Sequence, residues 1–172
     1  MNETNPFEAG ASAGQTSDAF LEAQLRSAFL SEEADASESD MRPAFVVNDP
    51  DRRIKVLTVI EDELRCCTSF DISVAFVTLS GLEPLLPVFE ELRDRGVPGR
   101  VLTTDYLCFS EPAAMRKLAS LKNIEVRLFR AEGNQGFHTK GYIFNSGDVC
   151  RFLIGSSNLT QTALSTNREW NA

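Results

Sequence analysis

Residues 136–158 read GFHTKGYIFNSGDVCRFLIGSSN, a pattern that predicts two β-strands joined by a tight turn. We predict the strands over His138–Asn145 and Cys150–Ser156, because both runs are rich in the aromatic and aliphatic residues that strands favour. Ser146-Gly147-Asp148 lies between them and contains the residue types that form turns. The predicted fold therefore contains a β-hairpin here.

Upstream of this hairpin, short apolar runs alternate with amphipathic segments. The pattern predicts strands over Phe70–Val77, Arg100–Thr103 and Ile124–Phe129, and helices over Arg52–Cys67, Leu82–Arg95, Glu111–Leu121 and Leu159–Ser165. A largely apolar strand such as Phe70–Val77 is typical of a sheet that is covered on both faces. Strands that alternate with helices indicate the α/β class, so we predict a sheet with helices on both of its faces.

The N-terminal part of the chain differs in composition from the rest. Residues 1–16 are small and polar without periodicity, and we predict that they are disordered. Residues 17–51 are predicted to hold a helix capped by Ser17, followed by an acidic linker. The main domain is predicted over residues 52–172. Because a new apolar pattern begins near Trp170 as the sequence ends, we expect this domain to be truncated there.

Composition limits the classes of function. The 172 residues carry a net charge of −8, which argues against a large nucleic-acid footprint, since such surfaces cluster Lys and Arg. A local basic cleft is still compatible with this charge. The four cysteines form no CxxC pair, the N-terminus lacks a signal-peptide pattern, and no apolar run is long enough to span a bilayer. We therefore predict a cytoplasmic protein that makes no use of a membrane.

Polar side chains able to handle a phosphate fall within the hairpin and just after it. His138, the sole histidine of the chain, and Lys140 lie two residues apart on a strand and so project together. Ser156 and Asn158 follow the second strand, where a helix begins. An imidazole can attack phosphorus, while an ammonium and neutral donors stabilise the phosphate oxygens. One histidine and scattered carboxylates do not make a ligand set, so we expect neither a metal nor a cofactor.

Each of these features also has an ordinary structural interpretation. A lone histidine is usually structural, a His-x-Lys pair often arises by chance, and Ser and Asn are common helix caps. Residues 103–106, Thr-Thr-Asp-Tyr, follow a predicted strand at the position where α/β folds place their sites, although Asp105 also suits a simple turn. The order and spacing of the hairpin residues, taken together, favour a phosphate site.

His-x-Lys followed by Gly-Ser-x-Asn resembles the signature of the phospholipase D superfamily. The wider stretch, from SVAFVT through TTDY to GSSNLTQTAL and NREWN, is similar to the phospholipase-D-like nuclease domain of bacterial DEAD/DEAH-box helicase-like proteins and some restriction endonucleases. The similarity runs from about Arg52 to the end of the sequence. It implies a mixed β-sheet flanked by helices, nucleic acid (DNA) as partner, and a metal-independent nuclease or phosphodiesterase that acts through a phosphohistidine.

The resemblance also implies roles for single residues. His138 matches the family nucleophile and Lys140 the phosphate-binding lysine, while Ser156 and Asn158 match the family's polar pair. Glu169 resembles the downstream glutamate of the nuclease branch, which would orient and polarise the histidine. The catalytic residues implied are thus His138, Lys140, Asn158 and Glu169, and the phosphate-binding ones Lys140, Ser156 and Asn158.

The resemblance is incomplete in two respects. Asn145 stands where the family motif has an aspartate, and Asp148 in the turn could be its shifted equivalent. The superfamily also draws two histidines from two copies of the motif, whereas this chain has one. We therefore expect either a homodimer or a second motif in a longer chain. A catalytically inactive module for nucleic-acid binding or assembly is the alternative function. Phospholipid chemistry is disfavoured, since the sequence shows no basic amphipathic helix.

Overall fold

The computed structural model describes residues 44–133 and 135–172, which form a five-stranded mixed sheet with the order β3-β2-β1-β4-β5. The strands are β1 (Ser69–Val74), β2 (Gly99–Thr104), β3 (Ile124–Phe129), β4 (Lys140–Ser146) and β5 (Val149–Ile154). β1, β2 and β3 run parallel to one another, whereas β4 is antiparallel to both β1 and β5. The predicted hairpin is therefore present as β4 and β5.

The helices connect and flank these strands. They are α1 (Val56–Cys66), α2 (Leu79–Leu82), α3 (Leu86–Asp94), α4 (Pro112–Ser120) and α5 (Gln161–Ser165). The predicted α/β class, with a mixed sheet flanked by helices, is confirmed. The single helix predicted over Leu82–Arg95 is divided by a short 3₁₀ turn, Glu83–Leu85. Pro84 and Pro87 account for the division, because proline has no backbone N–H to continue an α-helix.

The hydrophobic core lies on one face of the sheet. Phe70, Ile72 and Val74 of β1 are buried and pack in a single cluster with the apolar faces of the helices. The alternate residues of β1 are polar and lie on the other face, where Asp71 forms a bidentate ion pair with Arg100. Helices were predicted on both faces; within the described ranges they cover one. The run from residue 70 to 77 is largely apolar because β1 ends at Val74 and the residues that follow it, Ala75 and Val77, are also buried. The apolar run therefore does not require a strand that is covered on both faces.

The strand directions bring the functional candidates to one edge of the sheet. β1, β2 and β3 end at this edge, and β4 begins there, with Lys140 directly opposite Val74. Residues paired in this way share a face, so the Lys140 side chain lies on the helix-covered face. We call this edge the site edge; it is formed by residues 75–78, 105–111, 130–133, 135–139 and 155–160.

Residues 44–51 pack against the domain, although the sequence pattern placed them in the linker. Val46 exchanges backbone hydrogen bonds with Asn171, and the buried side chain of Asn48 donates to the carbonyl oxygens of Ala163 and Asn167. The chain enters α1 from this anchored segment. The predictions of disorder over residues 1–16 and of a helix and acidic run up to residue 43 lie outside the described residues.

Candidate active site

His138 and Lys140 lie together at the site edge, as strand periodicity predicted. The Nζ atom of Lys140 is 2.8 Å from Nδ1 and 3.2 Å from Nε2 of His138, and 3.2 Å from its carbonyl oxygen. His138 is exposed, whereas Lys140 is half-buried. An ammonium can donate to a ring nitrogen only if that nitrogen carries no proton, which is also the condition for the nitrogen to be nucleophilic.

The segment after β1 supports the imidazole from one side. The backbone N–H of Ala75 donates to the carbonyl oxygen of Thr139 at 3.0 Å, which continues the pairing between β1 and β4. The ring of Phe76 makes an edge contact with His138, with centroids 5.7 Å apart and planes at 76°. The hydroxyl groups of Ser73 and Thr139 hydrogen-bond at 2.7 Å. The histidine is therefore held by neighbours distant from it in sequence.

Asn158 is tied to the same segment. Its Oδ1 accepts the backbone N–H of Phe76 at 3.1 Å, and the backbone N–H of Leu159 donates to the carbonyl oxygen of Phe76. The carboxamide is oriented by this contact. Its Nδ2 group, which has no hydrogen-bond partner among residues 44–133 and 135–172, is then the group available as a donor.

Ser156 contacts Glu169 in this structure. The Ser156 hydroxyl donates to Oε2 of Glu169 and accepts the backbone N–H of Trp170 at 3.1 Å. A Cβ atom at Gly155 would overlap the carbonyl oxygen of Trp170, so the glycine allows the two segments this close approach. The predicted role of Ser156 as a donor to phosphate would require its bond with Glu169 to open. In the structure, Ser156 positions the carboxylate.

Burial and charge act in opposite directions on Lys140. Desolvation lowers the pKa of its ammonium below the ordinary value, and the nearby Glu169 carboxylate raises it in part compensation. Glu169 is therefore close enough to influence the lysine electrostatically. Beneath the site, Tyr142 is fully buried and its hydroxyl donates to the carbonyl oxygen of Ser157 at 3.0 Å. Burial raises the pKa of this hydroxyl, which keeps it neutral.

Asn145, which replaces the motif aspartate, lies away from this group. It is five residues beyond Lys140 on β4, a separation of about 17 Å in an extended strand, and it faces the opposite side of the sheet. Its Nδ2 donates to the hydroxyl of Ser69 at 3.2 Å. Asp148 follows the same strand at this far end. The replacement therefore lies away from His138, Lys140 and Asn158.

The strand-end residues 103–106 support neighbouring loops. The Thr103 hydroxyl is buried and donates to the carbonyl oxygen of Ala75 at 3.2 Å. The Asp105 carboxylate accepts the backbone N–H of Ala131 at 2.8 Å, which ties the loop after β2 to the loop after β3. Sequence reasoning did not single out Phe76 or Phe109, which pack edge to face at 5.1 Å. The signal for them was an aromatic residue in the segment that follows each of two strands, two residues after β1 and five residues after β2.

The described part of the chain holds neither a cluster of metal-binding side chains nor a helix that could span a membrane. In residues 44–133 and 135–172, no three His, Cys, Asp or Glu side chains converge in a way that could hold a metal ion. Over the same ranges, the helices are all too short or too polar to cross a bilayer.

The family comparison agrees with this arrangement. A family model described as the PLD-like domain of cardiolipin synthase matches residues 64–172, which includes all five strands and every candidate site residue. The chain belongs to the phospholipase D superfamily. No curated protein sequence matches the chain. The match begins within α1 and extends to the last residue, so the PLD-like domain accounts for most of the structure described above.

Solved structures share the PLD-like fold. NucT from Helicobacter pylori has a TM-score of 0.58 and 15% identity, over 74% of this chain and 81% of that one. Phosphatidylserine synthase from Haemophilus influenzae Rd KW20 has a TM-score of 0.56 and 16% identity, over 76% of this chain and 33% of that one. Yeast tyrosyl-DNA phosphodiesterase has a TM-score of 0.51 and 17% identity, over 75% and 31%. At these identities the similarities show the fold. The chain spans about a third of the latter two proteins.

Proposed function

We propose that this PLD-like domain is a phosphodiesterase, specifically a nuclease, that acts through a phosphohistidine without a metal ion. The observation that carries the proposal is the contact between the exposed imidazole of His138 and the ammonium of Lys140. A nucleophile and a cation at hydrogen-bond distance can share one phosphoryl group, with the cation neutralising the charge on the non-bridging oxygens.

The first chemical step uses residues that the fold holds at the site edge. A ring nitrogen of His138 attacks phosphorus, an N–P bond forms, and the bond to the leaving oxygen breaks. Lys140 and the Nδ2 group of Asn158 donate to the non-bridging oxygens. Glu169 acts as a positioning residue, because it accepts a hydrogen bond from Ser156 and stabilises the ammonium of Lys140. This differs from direct orientation of the histidine, the role expected from the resemblance.

The leaving oxygen must receive a proton, and the chain has no second histidine to donate it. The proposed donor is His138 of a second copy in a homodimer with two-fold symmetry, or a histidine from a second motif in a longer chain. In the second step, this group takes a proton from water, the water oxygen attacks phosphorus, and the N–P bond breaks. Both steps then balance, and the nucleophile is regenerated.

The proposed substrate is nucleic acid, and DNA in particular. Yeast tyrosyl-DNA phosphodiesterase shares the fold, and its name states a phosphodiester substrate in DNA. The motif resemblance adds the larger context that we propose, a cytoplasmic helicase-like or restriction-type DNA-processing protein. The presence of a single histidine favours a second candidate, a catalytically inactive module that binds nucleic acid or mediates assembly.

Hydrolysis of bis(p-nitrophenyl) phosphate and of single- and double-stranded DNA in EDTA tests the proposal. Wild type should be active, and His138→Ala and Lys140→Ala should each lose activity by about 100-fold or more. Lys122→Ala is the matched control, because Lys122 is exposed at the opposite edge of the sheet, before β3 begins. A phosphoryl adduct of the wild type, absent from His138→Ala, should be visible by intact-protein mass spectrometry.

The outcomes separate the two candidate functions. EDTA-resistant activity that depends on His138 supports the nuclease. DNA binding without hydrolysis, at concentrations that allow self-association and unchanged in His138→Ala, supports the binding module and refutes the catalytic proposal.

A further inference from the structure

The loop between β2 and α4, residues 105–110, has a backbone conformation that local preferences do not explain. Leu107 and Cys108 have φ values of 57° and 54°, which place two consecutive non-glycine residues in the left-handed region. L-residues avoid this region, because Cβ approaches the backbone carbonyl oxygen. Such conformations persist where surrounding contacts impose them, and they cluster at functional sites. We call residues 105–110 the aromatic loop, because they include Phe109, the residue that follows Cys108.

Hydrogen bonds hold the aromatic loop at both ends. At its start, the backbone N–H of Tyr106 donates to the hydroxyl of Thr104 at 3.0 Å, and Asp105 accepts from Ala131 at 2.8 Å. At its end, the hydroxyl of Ser110 donates to the carbonyl oxygen of Ala75 at 3.2 Å. The loop is thus fastened to the strand ends on either side. These contacts hold both ends of the loop at the site edge.

Phe109, in the aromatic loop, is exposed to solvent and contacts the phenylalanine that packs on the candidate nucleophile. Phe109 is 58% exposed, yet its ring packs against Phe76 with centroids 5.1 Å apart and planes at 83°. Phe76 in turn packs against His138. A T-shaped contact uses the face of only one of its two rings, and more than half of Phe109 remains accessible. The Phe109 ring therefore lies two aromatic contacts from the imidazole and is accessible to solvent.

We propose that Phe109 stacks on an unpaired base next to the scissile phosphate, which makes single-stranded nucleic acid the preferred substrate class. The inference rests on the proposed function, since it assumes a phosphodiester held at His138. A base in a duplex has its faces covered by its neighbours, whereas an unpaired base offers a free face to an aromatic ring. Residues 44–172 carry 15 Lys and Arg against 16 Asp and Glu, a net charge of −1, so general attraction to the phosphate backbone is weak and stacking has added weight.

Fluorescence anisotropy with a labelled oligonucleotide tests the proposal, using the full chain in a His138→Asn background to prevent cleavage. Phe109→Ala should weaken binding to the single strand by about 5-fold to 150-fold, and binding to the duplex by less than about 2-fold. Phe109→Trp should restore the affinity. Phe109→Leu, which keeps the apolar contact with Phe76, should not. Phe152→Ala is the matched control, since Phe152 is 62% exposed on the opposite face of the sheet.

A single abasic position, moved along the oligonucleotide, locates the stacked base. At one position its effect should equal that of Phe109→Ala, and the two changes together should weaken binding no further than either alone. The proposal is overturned if Phe109→Ala and Phe152→Ala behave alike, if the duplex is affected equally, or if Phe109→Ala alters only self-association in sedimentation velocity. Binding is measured without turnover, so an inactive wild type that shows the Phe109 effect would count against the nuclease and not against stacking.

Discussion

Asn48 links three separate parts of the domain, and its replacement should destabilise the fold in a way that depends on the new side chain. Its Nδ2 group donates to the carbonyl oxygens of Ala163 and Asn167, both at 2.8 Å. Its Oδ1 accepts the backbone N–H of Val56, the first residue of α1, at 2.9 Å. The side chain is buried, so water cannot replace these partners. Asn48→Ala removes all three hydrogen bonds, which should lower the free energy of unfolding by about 3 kcal/mol.

Asn48→Asp has nearly the same shape but should be at least as damaging at pH 7. The introduced carboxylate can still accept the N–H of Val56, but it places an anion against two carbonyl oxygens that previously accepted hydrogen bonds. We expect a loss of about 3–5 kcal/mol, the range for an uncompensated buried charge. Because the folded state disfavours the charged form, the pKa of the introduced carboxyl lies above its unfolded value of about 3.9. The destabilisation is therefore full above the folded-state pKa and decreases as pH falls toward the unfolded one.

Urea denaturation followed by far-UV circular dichroism, at pH 7 and at pH 4.5, measures these differences. Asn123→Ala serves as a comparison, because the Asn123 side chain donates one hydrogen bond, to Val97 at 3.0 Å, and should cost about 1 kcal/mol. The reasoning is refuted if Asn48→Asp unfolds within about 0.5 kcal/mol of wild type at pH 7. It also fails if the gap between Asn48→Asp and wild type widens on acidification.

Two more predictions concern the site edge. Burial lowers the pKa of Lys140, so as the pH rises its ammonium should lose its proton before the pH reaches the ordinary lysine pKa of about 10.4. The value of kcat/KM for bis(p-nitrophenyl) phosphate should fall over this alkaline range. Lys140→Arg stays charged and should therefore remove the fall. A Cβ atom at Gly81 would overlap the carbonyl oxygen of Leu159, so Gly81→Ala should lower the free energy of unfolding by about 1–3 kcal/mol. Gly141→Ala is its control, because a Cβ there meets no atom within 4 Å.

Each of these has an outcome that contradicts it. Identical alkaline limbs for wild type and Lys140→Arg, measured from pH 7 to 11, would show that another group controls the fall in activity. Equal unfolding midpoints for Gly81→Ala and Gly141→Ala in thermal denaturation would show that the backbone near Leu159 can shift to accept the new Cβ without a loss of stability.

Local patterns of apolar residues, glycine and proline were sufficient to predict much of the secondary structure. The strand predicted over Ile124–Phe129 is β3 with the same bounds, and the helix predicted to end at Arg95 ends at Asp94, two residues before Gly96, whose φ is 70°. The division between α2 and α3 could also have been predicted from Pro84 and Pro87. A single helix was predicted instead, because the apolar residues of this segment recur at helical spacing. The number of covered sheet faces was harder to predict, since an apolar run has the same composition whether one or both faces are buried.

The order of strands and helices and the pairing of His138 with Lys140 could be predicted from the sequence, because periodicity and turn chemistry act between residues close together in the chain. The partners of the other site residues became known from the three-dimensional fold. The hydroxyl of Ser156 donates to a carboxylate 13 residues away, and Asn158 is oriented by a backbone N–H 82 residues away. Contacts at such separations depend on which strands lie side by side, and the spacing of residues along the chain does not specify the order of the strands in the sheet.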